Sequence, residues 1–438
     1  MKRILVFLLF ILATETSGQA IRFTYLTADS IRNSYLLEEN WLFYPGDDTT
    51  ARRVDFNDSN WEAVGNPDLD LESKRATNFK DFNGIGWFRL HIRIDSSLIL
   101  KPLTLGLRHL GASQVFIDGK NISRYGKVVP ADSFSSMHPK SIPLALVFSS
   151  AGDHVISVRY ANYDAQRNLK VFEESVAGFH MSISPANEDI VEYVVESRMI
   201  TFILMLLFGI FIALSLQHLF LYLYHRAARS HLYFSLFTFS LSMLFFLPYN
   251  SYASEFPDFR LWCTFLVQFA ALLACFSLSG FINDLFSHIN TLTPKKNLGF
   301  IIITCSVLVA AMLRLVDLGL SLLAVVLVVA MAALEAGILV TAAIVTKVKG
   351  ARIIGTGILF FAAFILFVFI LGLLGGSLAI NTNNTSGMIA TCFLAAAILS
   401  TPISMSVYLA WNFSAINRDL KNQLQTVKDL SEKTIEQE

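Results

Sequence analysis

The side chains equipped for chemistry fall into two groups of opposite character. In the N-terminal part, the stretch Trp87-Phe88-Arg89-Leu90-His91-Ile92-Arg93-Ile94 alternates, so Arg89, His91 and Arg93 share one side of an extended chain and Phe88, Leu90 and Ile92 the other. Asp47 and Asp48 follow the Pro45-Gly46 turn, and Arg159 joins the cations of the polar face. An indole face suits the C–H surface of a sugar, a turn carboxylate accepts bonds from hydroxyls or shares Ca²⁺, and clustered cations hold polar ligands. Trp87, Arg89, Asp47 and Arg159 are therefore the candidate ligand-binding residues. The plainer alternative gives Trp87 to core packing and the cationic face to solvent. One turn offers too few oxygen ligands for a calcium site, so no metal is expected.

In the C-terminal part the candidates are Glu335, Gln268 and His218, isolated within apolar runs. A carboxylate near the middle of a membrane span is costly unless it is neutral, paired or turned to the bundle interior. Glu335 is thus expected to bond Gln268 or His218 as a neutral structural carboxyl, or else to act as a conformational switch. Its small neighbours Ala332, Ala333, Ala336 and Gly337 predict a face of close helix approach.

No catalytic residue and no cofactor are expected. The chain has no H-E-x-x-H, no G-x-S-x-G and no phosphate loop, and no lysine lies inside a span to carry retinal. Glycoside hydrolysis needs two carboxylates across a deep cleft, which a small β-sandwich rarely provides. No Lys/Arg stripe exists to neutralise phosphates, which excludes nucleic acid as a partner.

The elements that position these residues follow from composition. Of the 438 residues 54% are apolar, and the charge is unevenly spread: residues 20–197 hold 18 Lys/Arg and 23 Asp/Glu, residues 199–417 only 9 and 5. Lys2 and Arg3 precede the apolar run Ile4 to Ala13 and then small residues, so 1–19 reads as a signal peptide. Residues 20–184 read as an exported β-sandwich. Leu103, Leu105 and Leu107 alternate, Val115-Phe116-Ile117 ends in an Asp118-Gly119 hairpin turn, and further runs lie at 144–148, 155–160 and 179–183. All four cysteines fall in the apolar half, so that domain has no disulfide staples. Residues 185–198 are expected as a short linker.

Seven apolar runs follow, at about 199–224, 232–249, 261–281, 298–313, 320–346, 353–374 and 387–411, the fourth being the weakest. Seven spans place Arg226, Arg229, Lys295, Lys296, Lys347, Lys349 and Arg352 on one side and only Arg260 and Arg314 on the other. By the positive-inside rule this puts the sandwich outside and residues 412–438 in the cytosol. There Ile416, Leu420, Leu424, Val427, Leu430 and Ile435 form broken heptads, which predict a parallel signalling coiled coil in a homodimer. The fold class expected is an all-β jelly-roll sandwich, a seven-helix transmembrane bundle and a coiled-coil-like C-terminal helix.

Three segments carry a resemblance: Trp41-Leu42-Phe43-Tyr44-Pro45-Gly46-Asp47, Asp55-Phe56-Asn57-Asp58-Ser59-Asn60-Trp61 and Gly84-Ile85-Gly86-Trp87-Phe88-Arg89. They look like the sugar-binding jelly-roll domain attached to many glycoside hydrolases. Followed by seven spans and a cytosolic helix, the chain from about 36 to 420 resembles the bacterial seven-transmembrane receptors with diverse intracellular signalling modules. That resemblance implies an outer domain sensing a small molecule or glycan, residence in the bacterial cytoplasmic membrane and output through a histidine kinase or cyclase. No kinase histidine box or nucleotide motif occurs in residues 412–438, so this signalling helix is expected either to be incomplete or to be read by a separate cytoplasmic signalling protein or output domain. The competing reading is a transporter or channel component with an exported substrate-binding domain. The absence of an inverted repeat and the scarcity of intramembrane polar residues weigh against it.

Overall fold

The computed structural model describes residues 22–32, 34–65, 67–69, 82–129, 131–140, 142–164, 177–286, 294–313, 316, 318–373 and 385–437. The expected signal peptide, 1–19, lies outside these. Contacts divide the chain into two compact units, Met1–Ile200 with Ala253–Arg260, and Thr201–Tyr252 with Leu261–Glu438.

The first unit is built on twelve strands: β1 (Thr24–Leu26), β2 (Tyr35–Leu36), β3 (Trp41–Pro45), β4 (Glu62–Val64), β5 (Asp68–Leu69), β6 (Ile85–Ile94), β7 (Leu103–His109), β8 (Ala112–Ile117), β9 (Lys120–Tyr125), β10 (Leu144–Leu146), β11 (Gly152–Ala161) and β12 (Ala177–Pro185). One sheet runs β4-β3-β6-β11-β8-β9, with β1 added in parallel to β6; the other runs β10-β7-β12-β2, with β5 added to β12. The alternation read in residues 87–94 is the long central strand β6, which pairs antiparallel with β11 so that Phe88 faces Val158 and Leu90 faces Ile156. Those apolar residues meet Leu105, Leu107, Phe179, Met181 and Ile183 of the second sheet in one core. Phe179 lies edge-on to both Trp41 and Phe88, with ring centroids 5.1 Å apart in each pair. Each such buried side chain contributes about 1.5–3 kcal/mol of transfer free energy.

The Asp118-Gly119 pair forms the expected two-residue hairpin loop between β8 and β9. Both residues have positive φ, 49° and 78°, the twist that suits paired strands. The Asp118 carboxylate also accepts from the backbone N–H of Val155 at 2.9 Å, tying the turn to β11.

Seven helices follow: α1 (Ala186–Tyr224), α2 (Arg229–Ala253), α3 (Pro257–Leu285), α4 (Pro294–Met312), α5 (Leu318–Val345), α6 (Ala351–Leu373) and α7 (Thr385–Gln437). Among the described residues six of them are long and apolar enough to cross a membrane; α4 contributes a shorter apolar stretch, Ile302–Met312, where the weakest run was read. The expected linker does not exist as a separate segment. Pro185 is still paired with Leu103 in the sheet and Ala186 already begins α1, which continues through 39 residues. Two features start the helix there: Glu188 and Asp189 lie in its first turn, favourable to the helix dipole, and Asp189 accepts from the Thr104 hydroxyl of β7 at 2.6 Å.

Within the second unit, glycines set helix spacing. A Cβ at Gly355 would collide with Val340 and Ile344 of α5, and one at Gly357 with Ser400 and Ser404 of α7. The hydroxyl of Ser400 donates to the Gly357 carbonyl at 3.1 Å across that contact. Residues 412–431 of α7 carry Phe413, Ile416, Leu420, Leu424, Val427 and Leu430 exposed on an otherwise polar helix.

Candidate functional site

The side of the first sheet away from the core carries the polar residues of β6, and segment 46–61 lies over it. Ala51 and Trp61, from that segment, pack with Trp87 and Phe116 of the sheet in a second small cluster. Beneath it Arg89 is fully buried. Its Nε donates to Asp58 Oδ2 at 2.7 Å and its Nη1 to the carbonyls of Ala51 and Arg53 at 2.5 and 2.9 Å. His91 Nε2 meets the same Asp58 oxygen at 2.8 Å. Burial pushes the Asp58 carboxyl up, but the bonds from His91 and Arg89 outweigh it and hold the group below the usual carboxylate range.

Arg89 faces neither a ligand nor solvent, which corrects both readings of the cationic face at that position; it is closed under the covering segment. Trp87 takes the plainer of its two readings, packed in a cluster and stacked on Phe116 with centroids 5.8 Å apart. Asp58 is the counter-ion of the layer. Alternation along a strand reports the polarity of a face, not its exposure, and a buried cation must be neutralised where it lies.

Asp47 and Arg159 occupy the rim of the same face. Arg159 donates to both Asp47 oxygens, at 2.6 and 2.5 Å, and through Nη1 to Gln114 Oε1 at 3.2 Å. Strand register places Tyr44, Trp87, Arg159 and Gln114 in one row across four strands, β3, β6, β11 and β8. Tyr44 is 40% exposed and its ring stacks on Trp61 at 5.4 Å. Two donors of this face, Trp87 Nε1 and Arg89 Nη2, are buried without a hydrogen-bond partner among the described residues. The row offers an aromatic surface, a paired carboxylate and an amide, which together can bond hydroxyl groups. Sequence reasoning missed Tyr44 and Gln114; the signal available was their place in short strands flanking β6.

Arg93, the last cation on the β6 polar face, pairs with Asp153, and its guanidinium lies 4.6 Å from the centroid of the Phe23 ring. Every cation expected in an open patch is thus engaged by a carboxylate. Among the described residues no group of three or more His, Cys, Asp or Glu is placed to hold a metal ion.

At another edge of the first unit, residues 137–140 bridge β7–β8 and the turn after α2. Met137 N–H donates to Gly111 O at 2.8 Å, His138 N–H to Glu255 O at 2.7 Å, and Lys140 Nζ to Ala253 O at 2.8 Å. Burial, then the positive charges of Arg260, Arg108 and Lys140, depress His138 to about 4. His109, buried beside it, is held at about 3 by burial and the influence of His138.

In the second unit the expected partners of Glu335 are not its partners. His218 Nδ1 lies 3.0 Å from His231 Nδ1 of α2, and neither amide atom of Gln268 has a hydrogen-bond partner among the described residues. Ser215 and Ser235 exchange hydroxyl-to-carbonyl bonds at 2.9 Å one turn from the histidines, so the α1–α2 contact satisfies itself. Glu335 is half-buried in α5.

Residues 200–410 match the sequence profile of the family described as 7TM diverse intracellular signalling. The membrane half is similar to that family, whose description is one of signalling. Among the described residues six helices are long and apolar enough to cross a bilayer, which supports a multi-pass membrane protein. No curated protein matches the chain. Among solved structures, it is similar to a β-glucuronidase of Bacteroides uniformis, at 18% identity and a TM-score of 0.24 over 35% of this chain and 18% of that one. A β-glucuronidase of Faecalibacterium prausnitzii matches at 11% identity and a TM-score of 0.25, over 37% and 33% of the two chains. One from Ruminococcus gnavus matches at 11% and 0.23, over 37% and 30%. The chain therefore spans between about a fifth and a third of the length of these enzymes.

Proposed function

We propose that the chain is a receptor of the cytoplasmic membrane of a bacterium that senses an uncharged, polyhydroxylated ligand outside the cell and passes the signal to a cytoplasmic output module. In this reading residues 1–19 direct export, the outer β-domain is a jelly roll, and seven helices, α4 included, cross the bilayer. The exposed apolar stripe of α7 pairs with a second copy as a parallel coiled coil. The ligand lies on the rim row, with Tyr44 beneath its C–H face and Asp47, Gln114 and Arg159 on its hydroxyls.

The observation that carries this reading is the passage from β12 into α1. A strand hydrogen-bonded along its length becomes a helix at the next residue, with no flexible spacer to absorb movement. A shift of β12 within its sheet therefore displaces the first helix directly, and the two-state bias has a rigid path. The neutralised rim favours an uncharged ligand, because Asp47 and Arg159 already satisfy each other's charge.

The test uses the full chain in lipid nanodiscs. Neutral mono- and oligosaccharides are screened for a rise in unfolding temperature, since a ligand that binds only the native form must raise it. A sugar that does so is then added to protein spin-labelled at Leu420, and the distance between the two copies is measured. Stabilisation that disappears in Gln114→Ala, together with a changed distance, is expected. No stabilisation by any sugar, or a single label with no partner in range, sinks the proposal.

A further inference from the structure

A cavity of about 120 Å³ lies among α2, α3, α5 and α6, within the second unit alone. Its walls include Phe237 and Leu241 from α2, Ala274 and Cys275 from α3, Ala333 from α5 and Phe361 from α6. Among the described residues no charged side chain lines it. Alanines stand at four lining positions, 271, 274, 332 and 333, where larger side chains would fill the space. Ala332 and Ala333 belong to the small-residue set beside Glu335 that was expected to bring helices together; here they leave room instead. Gly337 on the same helix makes the close approach, a Cβ there just touching Ala362 and Leu359 at 4.0 Å.

One helical turn before Ala271, Gln268 is 2% exposed, and neither its Nε2 nor its Oε1 has a hydrogen-bond partner among the described residues. A buried amide with both ends unmet is an expensive feature in an apolar bundle. An apolar cavity of this size stays dry and accepts molecules of the size of benzene. The two observations are independent, one of space and one of hydrogen bonding; Gln268 does not itself line the cavity but lies on α3 one turn before the first α3 residue that does.

We propose that this cavity is a second binding site, for an uncharged membrane-soluble molecule about the size of a single aromatic ring that carries one hydrogen-bonding oxygen. The hydrocarbon body fills the space left by the four alanines, and the oxygen meets the Gln268 amide. A carboxylate or ammonium is rejected, because the walls offer it no counter-charge. The site is separate from the rim of the outer domain and reports on what is dissolved in the bilayer.

The experiment takes the full chain in nanodiscs and a phenol bearing a small diazirine, photolysed and mapped by mass spectrometry. Adducts are expected on the α3 and α5 peptides that carry residues 271–278 and 329–333. Excess 4-ethylphenol should remove them and excess 4-ethylbenzoate should not. Gln268→Leu should weaken competition by 4-ethylphenol about tenfold, the worth of one buried hydrogen bond, while leaving competition by ethylbenzene within about twofold. Ala333→Phe should abolish the adducts. Ala274→Leu, a smaller filling change, serves the same purpose if that variant does not fold. Adducts spread evenly over lipid-facing peptides, or competition by 4-ethylphenol that Gln268→Leu leaves intact, overturn the proposal. So does labelling displaced by a fatty acid but not by 4-ethylphenol, which would make an acyl chain the occupant.

Discussion

The β-domain and the helical bundle bury polar groups by different means. In the β-domain, charged groups far apart in sequence neutralise each other: Arg89 and His91 reach Asp58, and Arg159 reaches Asp47, 112 residues away. In the bundle most buried hydroxyls bond a carbonyl three or four residues back on their own helix, as Thr238, Ser240, Ser242 and Ser321 do. The first arrangement fixes segments against one another, since a buried charge stripped of its partner is very costly. The second satisfies most of these groups within one helix, so a shift between helices costs few hydrogen bonds, those of Ser215 with Ser235 and of Ser400 and Thr401 with Gly357. The two units therefore differ in how much a rearrangement of their elements costs in polar contacts.

The largest effect follows from removing the counter-ion of the buried layer. Asp58→Ala leaves Arg89 charged, fully buried and without a carboxylate, and should destabilise the β-domain by roughly 3–5 kcal/mol. Three of the five tryptophans, Trp41, Trp61 and Trp87, lie in this unit, so intrinsic fluorescence during denaturant unfolding reads it directly. A change below about 1 kcal/mol would mean that the layer is a solvated surface pair and that the contrast between the two regions is unfounded.

Acid probes the same unit by another route. His138 and His109 sit at about 4 and about 3 in the folded protein, against about 6.5 for an unfolded histidine. Below pH 6.5 the unfolded chain takes up protons that the folded chain refuses. Stability should therefore fall as pH drops from about 6.5 to about 4 through His138, and further toward 3 through His109. The depressed carboxyl of Asp58 contributes stability above the usual carboxylate range that is lost as pH falls through its own lowered folded value. His138→Asn should flatten the dependence between pH 6.5 and 4, followed as the midpoint of the fluorescence transition. An unchanged slope in that variant would assign the acid sensitivity elsewhere.

Some of this was legible in residue order and some was not, for physical reasons. The Asp118-Gly119 turn and the strand from 85 to 94 could be read because their causes are local, positive φ in one case and period-two alternation in the other. The spans could be read because a bilayer demands long apolar runs. The burial of Arg89 could not, since the segment that covers it begins more than 40 residues earlier and nothing in β6 records it. The three segments that carried the family resemblance nevertheless converge on one place, Asp47 with Arg159, Asp58 with Arg89, and Trp61 with Trp87. The missing linker was illegible because residues 186–198 are polar enough for a loop, and only the neighbouring strand and Thr104 fix them as helix.

The smallest effect lies in the bundle and tests the other half of the contrast. Thr238 is fully buried on α2, and its hydroxyl bonds only the carbonyls of Phe234 and Ser235, at 3.0 and 3.2 Å, on its own helix. Those carbonyls also take part in the backbone hydrogen bonding of α2, so losing the hydroxyl strands no buried group. Valine has nearly the shape of threonine and fills the same space. Thr238→Val should thus change bundle stability by less than about 1 kcal/mol, read as resistance to unfolding in mixed micelles. If it costs as much as Asp58→Ala, the hydroxyl joins helices together and the bundle is pinned in the manner of the β-domain. If it costs little, this hydroxyl does not pin α2 to its neighbours, and a push from α1 has to overcome packing and a few interhelical bonds, chiefly Ser215–Ser235 and, farther off, Ser400–Gly357.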